Sequence, residues 1–136
     1  MAAIVVTRGK LRIGQQASES TNYNAARNIQ AMSVDDSSVA FAAADLALNT
    51  GGAVANEYFK DFDATPTETA PAVITHVMTV PTGSGNFTIR RIALHDQPTA
   101  LPLLDSTQSL VAGIDGQSLT KTSDFTIQFT LTITYA

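Results

Sequence analysis

The segment from Phe125 to Tyr135 constrains the fold most. Phe125, Ile127, Phe129, Leu131, Ile133 and Tyr135 alternate without a break against Thr126, Gln128, Thr130, Thr132 and Thr134. A period of two over this length puts every apolar side chain on one face of a strand and every polar one on the other. Such a strand needs a second layer to cover its apolar face. The expected fold class is therefore mainly β: a small antiparallel β-sandwich, with short N-terminal helices and an extended N-terminal arm.

The rest of the chain divides at about residue 28, into an N-terminal arm and loop over 1–28 and a single β-rich domain over 29–136. Ile4, Val5 and Val6 form a β-branched run in Ala2 to Thr7, a short strand or an arm for a neighbouring subunit. Gly14 to Asn22 reads as loop. Asn24 to Met32 and Ala40 to Leu48 have the composition of short helices, the second stopped by Gly51 and Gly52, with Ser33, Asp35 and Asp36 as turn or cap residues between them. Tyr58, Phe59 and Phe62 fit a strand or a helical turn. Pro66 to Pro71 reads as a loop bracketed by proline. Val73 to Val80 and Asn86 to His95 read as a hairpin closed by "PTGSGN", and Leu110 to Ile114 as a short strand.

One stretch departs from simple alternation. In "GNFTIRRIALHD" Arg90 and Arg91 stand side by side inside a strand. If Ile89, Ile92 and Leu94 are the buried positions, the alternation slips by one residue, as at a β-bulge, and the arginines occupy the slip. The planar fork of Arg91 is then available for a carboxylate or carbonyl at an edge or interface, or for solvent.

Composition limits what such a chain does. Only 15% of the 136 residues are charged, against about a quarter in an ordinary soluble domain. Much of the surface is then neutral and polar, and fewer ions need desolvation on contact with another protein. The formal net charge of -4 argues against a nucleic-acid partner, because phosphate binding relies on clustered Lys and Arg. No apolar run approaches the roughly 20 residues of a membrane-spanning helix. The opening "MAAIVVTRGKLRIG" has its positive charges after its short apolar run, unlike a signal peptide, and reads as mature cytosolic sequence. With 0 cysteines, a disulfide framework and a thiolate metal site are excluded.

Candidate chemistry is sparse. His76, His95 and Asp96 lack a third ligand at a metal-binding spacing. The "PTGSGNFT" glycines lack the Lys-Ser/Thr ending of a phosphate loop. Asp35, Asp36, Asp61 and Asp63 fit no calcium-loop spacing and read as solvated loop charges. No nucleophile motif marks any Ser or Thr. The expectation is no catalytic residue, no cofactor and no metal site, and a candidate subunit interface at Ile4, Val5, Val6, Arg90 and Arg91.

The second half resembles a pattern found in small structural proteins and tail-fibre base domains of tailed bacteriophages, similar to tail-collar-like β domains. Ile89, Arg90, Ile92, Leu94 and Asp96 match its first strand. Leu110, Val111 and Ala112 match the second, and Lys121, Thr122 and Phe125 to Tyr135 the third. Upstream, Asp45, Leu46, Ala47 and Leu48 resemble the Asp-Thr-Ala-Leu segment that follows a short polar loop in that pattern. Arg91, Ala93 and His95 depart from it, where Glu, Gly and an aromatic are usual.

The resemblance implies a non-enzymatic virion component in many copies, assembled in the host cytoplasm. It would serve as a tail or baseplate adaptor or fibre-base protein, and its partners would be other phage structural proteins and copies of itself. A capsid decoration protein is the alternative within the virion. A carbohydrate-binding β-module is a third reading, disfavoured by 0 Trp and 3 Tyr, since sugars stack on exposed aromatics.

Overall fold

The structure of the protein is a computed structural model that describes residues 2–5, 29, 31–45, 47, 55–70, 73–96 and 110–134. The strands are β1 Ala2–Val5, β2 Ala31–Asp35, β3 Glu57–Asp61, β4 Thr67–Ala70, β5 Val73–Val80, β6 Thr88–Ile89, β7 Arg91–His95, β8 Leu110–Asp115, β9 Leu119–Thr120 and β10 Ile127–Thr134. They form a five-stranded sheet ordered β1-β8-β7-β2-β3, a three-stranded sheet ordered β10-β5-β4, and a ribbon of β6 with β9. Every pairing is antiparallel. The chain is thus mainly β, as the alternation of its last strand requires.

β10 lies along β5 in unbroken register from Ile127 opposite Val80 to Thr134 opposite Val73. That register joins Ile127, Phe129, Leu131 and Ile133 to Val80, Met78, His76 and Ile74 on one face. On the other face Thr132 stands opposite Thr75, their hydroxyls 3.5 Å apart. The apolar face meets the five-stranded sheet. Met32 and Val34 of β2, Met78 and Val80 of β5, Ile89, Ile92 and Leu94, and Phe129 of β10 make one buried cluster, with Tyr58, Phe62 and Phe87 against it. The two sheets share this core, whose burial stabilises the fold by roughly 2 kcal/mol for each large apolar side chain.

Several local expectations change. Val73–Val80 and Asn86–His95 do not pair as a hairpin: β5 binds β10 and β4, while β6 binds β9 and β7 binds β2 and β8. The "PTGSGN" turn instead carries the chain from the three-stranded sheet into the β6–β9 ribbon, from which it passes through Arg90 into the five-stranded sheet. A glycine turn reads alike in either role, and β5 finds in β10 a partner that matches it over all 8 residues. Gly85 in that turn has φ +62°, and a side chain there would bring its Cβ within 2.7 Å of Val80 Cγ1, so glycine is required.

No helix occurs among the described residues. Met32, placed in a short helix by composition, and Ser33 and Asp35, read as turn residues, belong to β2, which lies between β3 and β7 with all its residues buried. Ala40 to Asp45 is not helical either; its chain closes one turn, with Asp45 N–H donating to Ala42 O at 3.0 Å and Asp45 Oδ2 accepting from Ala42 N–H at 2.8 Å. Residues 24–28, 30, 46 and 48 of those two segments lie outside the described residues, as do Gly14 to Asn22. Thr67–Ala70, read as loop, is an edge strand whose register with β5 shifts between Glu68 and Ala70. Prolines bracket that strand without interrupting it, which an edge tolerates.

β1 is a strand, but it lies on its own chain, against β8 from Ala2 opposite Asp115 to Val5 opposite Ala112.

His76 sits on the inner face of β5, 2% exposed, with its ring 4.9 Å from that of Phe62 and no hydrogen-bond partner at Nδ1. Burial pushes its pKa below the ordinary 6.5, more than the Leu131 backbone raises it. A histidine whose folded pKa is depressed stabilises the fold fully above the unfolded value, and that stability is lost as pH falls below it. Unfolding free energy is therefore expected to fall below about pH 6.5, by up to about 1.4 kcal/mol per pH unit. In urea titrations from pH 8 to 5, His76→Phe should have a shallower acid-side slope than the wild-type chain. Equal slopes would show that His76 is already accommodated as a cation.

Candidate functional site

The paired arginines mark the most elaborate polar arrangement in the described structure. The strand stops at Arg90 between β6 and β7. Ile89 and Ile92 both enter the core, so the alternation does slip by one residue there. The backbone of Arg90 bridges the change of partner: its N–H donates to Asp35 O at 2.8 Å and its carbonyl accepts from Gln117 N–H at 3.0 Å. Its side chain is exposed. Arg91 turns the other way, to the face of the five-stranded sheet opposite the main core, and is 2% exposed.

There its guanidinium grips a carboxylate and a carbonyl. Nε donates to Asp35 Oδ1 at 2.8 Å, Nη2 to Asp35 Oδ2 at 3.1 Å and Nη1 to the Val39 carbonyl at 3.3 Å. The ring of Phe41 lies 4.5 Å from the guanidinium carbon. This is the two-toothed geometry that suits arginine and not lysine. Asp35, expected as a solvated loop charge, is 1% exposed. Burial pushes its carboxyl above the ordinary carboxylate range, with Arg91 and the Ser37 amide pulling back against that rise.

The segment covering this pair is fixed at both ends. Ser37 N–H donates to Asp35 Oδ1 at 2.9 Å, and Phe41 N–H donates to Asp115 Oδ2 at 2.8 Å. The Phe41 ring lies over Gly113 of β8, where any Cβ would overlap it. Ala93, Leu110 and Ile4 complete a second small apolar cluster around that ring. On the same sheet face Ser33 Oγ and His95 Nε2 are 2.8 Å apart, both residues 0% exposed. A serine and histidine at that distance suggest a nucleophile and its base, but no substrate reaches atoms so enclosed. The pair joins β2 to β7.

His76 faces the main core from the three-stranded sheet and His95 the opposite face of the other, so the structure does not bring the candidate histidines together. Among the described residues no three His, Cys, Asp or Glu converge to hold a metal ion. Lys121 is also buried, at 2% exposure. Its ammonium donates to Asn86 Oδ1 and the Thr122 carbonyl, both at 3.1 Å, and lies 5.9 Å from the centre of the Phe125 ring. It thereby ties the approach to β10 to the turn after β5.

Of the candidate interface residues, Ile4 and Val5 lie in β1 and are half-buried, Arg90 is exposed and Arg91 is enclosed. Val6 lies outside the described residues. Beside β1 the molecule has an apolar cleft of about 210 Å³, lined by Ile4, Val5, Leu94, Ala112, Leu131 and Ile133 among others. It opens between the edge of one sheet and the last strand of the other. Sequence reasoning missed Asp35, Phe41 and Asp115 as the partners of the arginine region. Their signal, an unpaired arginine in an apolar strand, points to a carboxylate without saying which one.

Comparison with protein-family models finds no match, and comparisons with curated proteins and with solved structures find none either.

Removing one member of the buried pair strands the other. Arg91→Met should cost about 3–5 kcal/mol, because Asp35 is left buried and unpaired. Arg91→Met combined with Asp35→Leu should recover at least half of that loss in urea unfolding. A single variant costing under about 1 kcal/mol would place the pair in solvent.

Proposed function

We propose that the chain is a non-enzymatic structural protein of a bacteriophage virion, present in many copies as a tail or baseplate adaptor or fibre-base component. One observation carries this reading. The three strand segments that resemble the phage pattern pack on one another: β7 pairs with β8, and Phe129 of β10, in the other sheet, joins Ile89, Ile92 and Leu94 in the core. A resemblance made of unrelated strand fragments need not converge in this way. Lys121 of the Lys-Thr match is also a buried anchor and not a surface charge.

The proposed role is to be a rigid body that binds neighbours. The strands β5 and β10 themselves present uncharged side chains outward, with Thr75, Thr79, Gln128, Thr130, Thr132 and Thr134 exposed or half-buried, and the Asp63 carboxylate, held by Thr79 and Lys60, stands at the margin of that face. A neutral polar sheet face meets another protein at low desolvation cost. Repetition in a symmetric ring then multiplies weak contacts into a stable assembly. Partners are other phage structural proteins and further copies of the chain, and the particle is assembled in the host cytoplasm.

Antibody labelling of intact particles, viewed by electron microscopy, tests the proposal. Label on the tail or its tip is the expected result. Label over the head would make the chain a capsid decoration protein, and particles without label would remove the virion reading.

A further inference from the structure

The two sheets end in four edge strands, and they are not equally protected. An exposed edge presents unpaired N–H and C=O groups that can template another strand, and proteins blunt such edges with charge, proline, shortness or a bulge. β3 carries Glu57, Lys60 and Asp61, β4 carries Glu68 and a register shift, and β1 is only 4 residues long. β10 has none of these devices. It runs for 8 residues, IQFTLTIT, with no charge, no proline and no bulge against β5. Its far edge has no strand partner among the described residues.

From this contrast we infer that β10 is the self-association strand of the protein: two copies pair antiparallel through their β10 edges across a two-fold axis. The three-stranded sheet then continues as a six-stranded one. The strand is complementary to itself in the way this requires. Pairing Leu131 with Leu131 sets Thr130 opposite Thr132 and Phe129 opposite Ile133, so threonine meets threonine on the outer face and apolar meets apolar on the inner one. With no charge on the strand, no like charges oppose each other.

The available area is also adequate. An eight-residue strand is about 27 Å long, and two packed sheets with their side chains present a flank about 20 Å deep. The paired flanks bury roughly 1,000 Å² in total, the lower bound for a specific interface. The apolar cleft between β1 and β10 lies on this flank and takes side chains of the second copy. An antiparallel two-fold contact closes on itself, so it yields a dimer and not a fibre.

The inference rests on the multi-copy reading above, to which it adds the contact surface, but its test needs no particle. Sedimentation velocity of the full chain between about 1 and 100 µM should show a dimer or an even multiple of it. Thr130→Lys with Thr132→Lys changes two exposed residues to the natural edge-protecting type; it should weaken association at least tenfold. Ser38→Lys with Ser118→Lys adds the same charge at exposed positions elsewhere and should leave association unchanged.

Hydrogen exchange on the unaltered chain supplies a second measurement that does not depend on any variant folding. Amides of 127–134 should gain protection as concentration rises. A wild-type monomer at 100 µM, its edge then being met by a different protein, overturns the inference. A trimer, or a Thr130→Lys/Thr132→Lys chain that associates like the wild type, also overturns it. A chain that dimerises through β10 yet is absent from particles loses the virion reading alone.

Discussion

The bidentate pair between Arg91 and Asp35 is the interaction on which the five-stranded sheet depends. The two residues are 56 positions apart, face each other across the β2–β7 ladder, and are almost wholly removed from water. A buried ion pair contributes little net stability over an apolar replacement, but it is costly to leave half made. Its effect is therefore on specificity: β2 and β7 tolerate one register, and a slip by a single residue would bury two uncompensated charges. The same pair orders the covering chain, because Val39 and Ser37 bind to its two halves and Phe41 stacks on the guanidinium.

A second constraint follows from the first. For the Phe41 ring to sit against Arg91, the sheet must offer a notch, and Gly113 provides it. Asp115 on the same strand then holds the Phe41 amide. Three strands and one loop are thus fixed by residues that each look unremarkable in isolation. On the other side of the sheet, ordinary apolar burial does the rest, with β5 and β10 closing the core. The polar layer sets the arrangement of the strands, and the apolar layer supplies most of the stability.

The two layers differ in how legible they are. β10 follows from local alternation, one face in water and one in the core written residue by residue, and β5 from its β-branched apolar run; both appear almost at their true bounds. The slip at Arg90 is legible for the same reason, since Ile89 and Ile92 cannot both be inward in a regular strand. β2 is not legible. Ser33 and Asp35 are turn formers by local propensity and become central-strand residues only through His95 and Arg91, 62 and 56 positions away. The strand pairing of "PTGSGN" is hidden likewise, because a glycine turn does not record whether its flanking strands pair with each other or with different partners. Of the candidate interface, the exposure of Arg90 and the enclosure of Arg91 depend on Asp35 and Phe41, which local pattern cannot connect to them.

Exchange of the arginine side-chain Nε protons, followed by NMR in heavy water, tests the role of the pair most directly. Enclosed beneath Phe41 and bonded to Asp35 Oδ1, the Arg91 Nε proton should persist far longer than that of Arg90, and Phe41→Leu should move its resonance by removing the ring current. If the Nε protons of Arg90 and Arg91 exchange equally fast and the Arg91 signal ignores the Phe41 substitution, the buried pair does not organise the sheet.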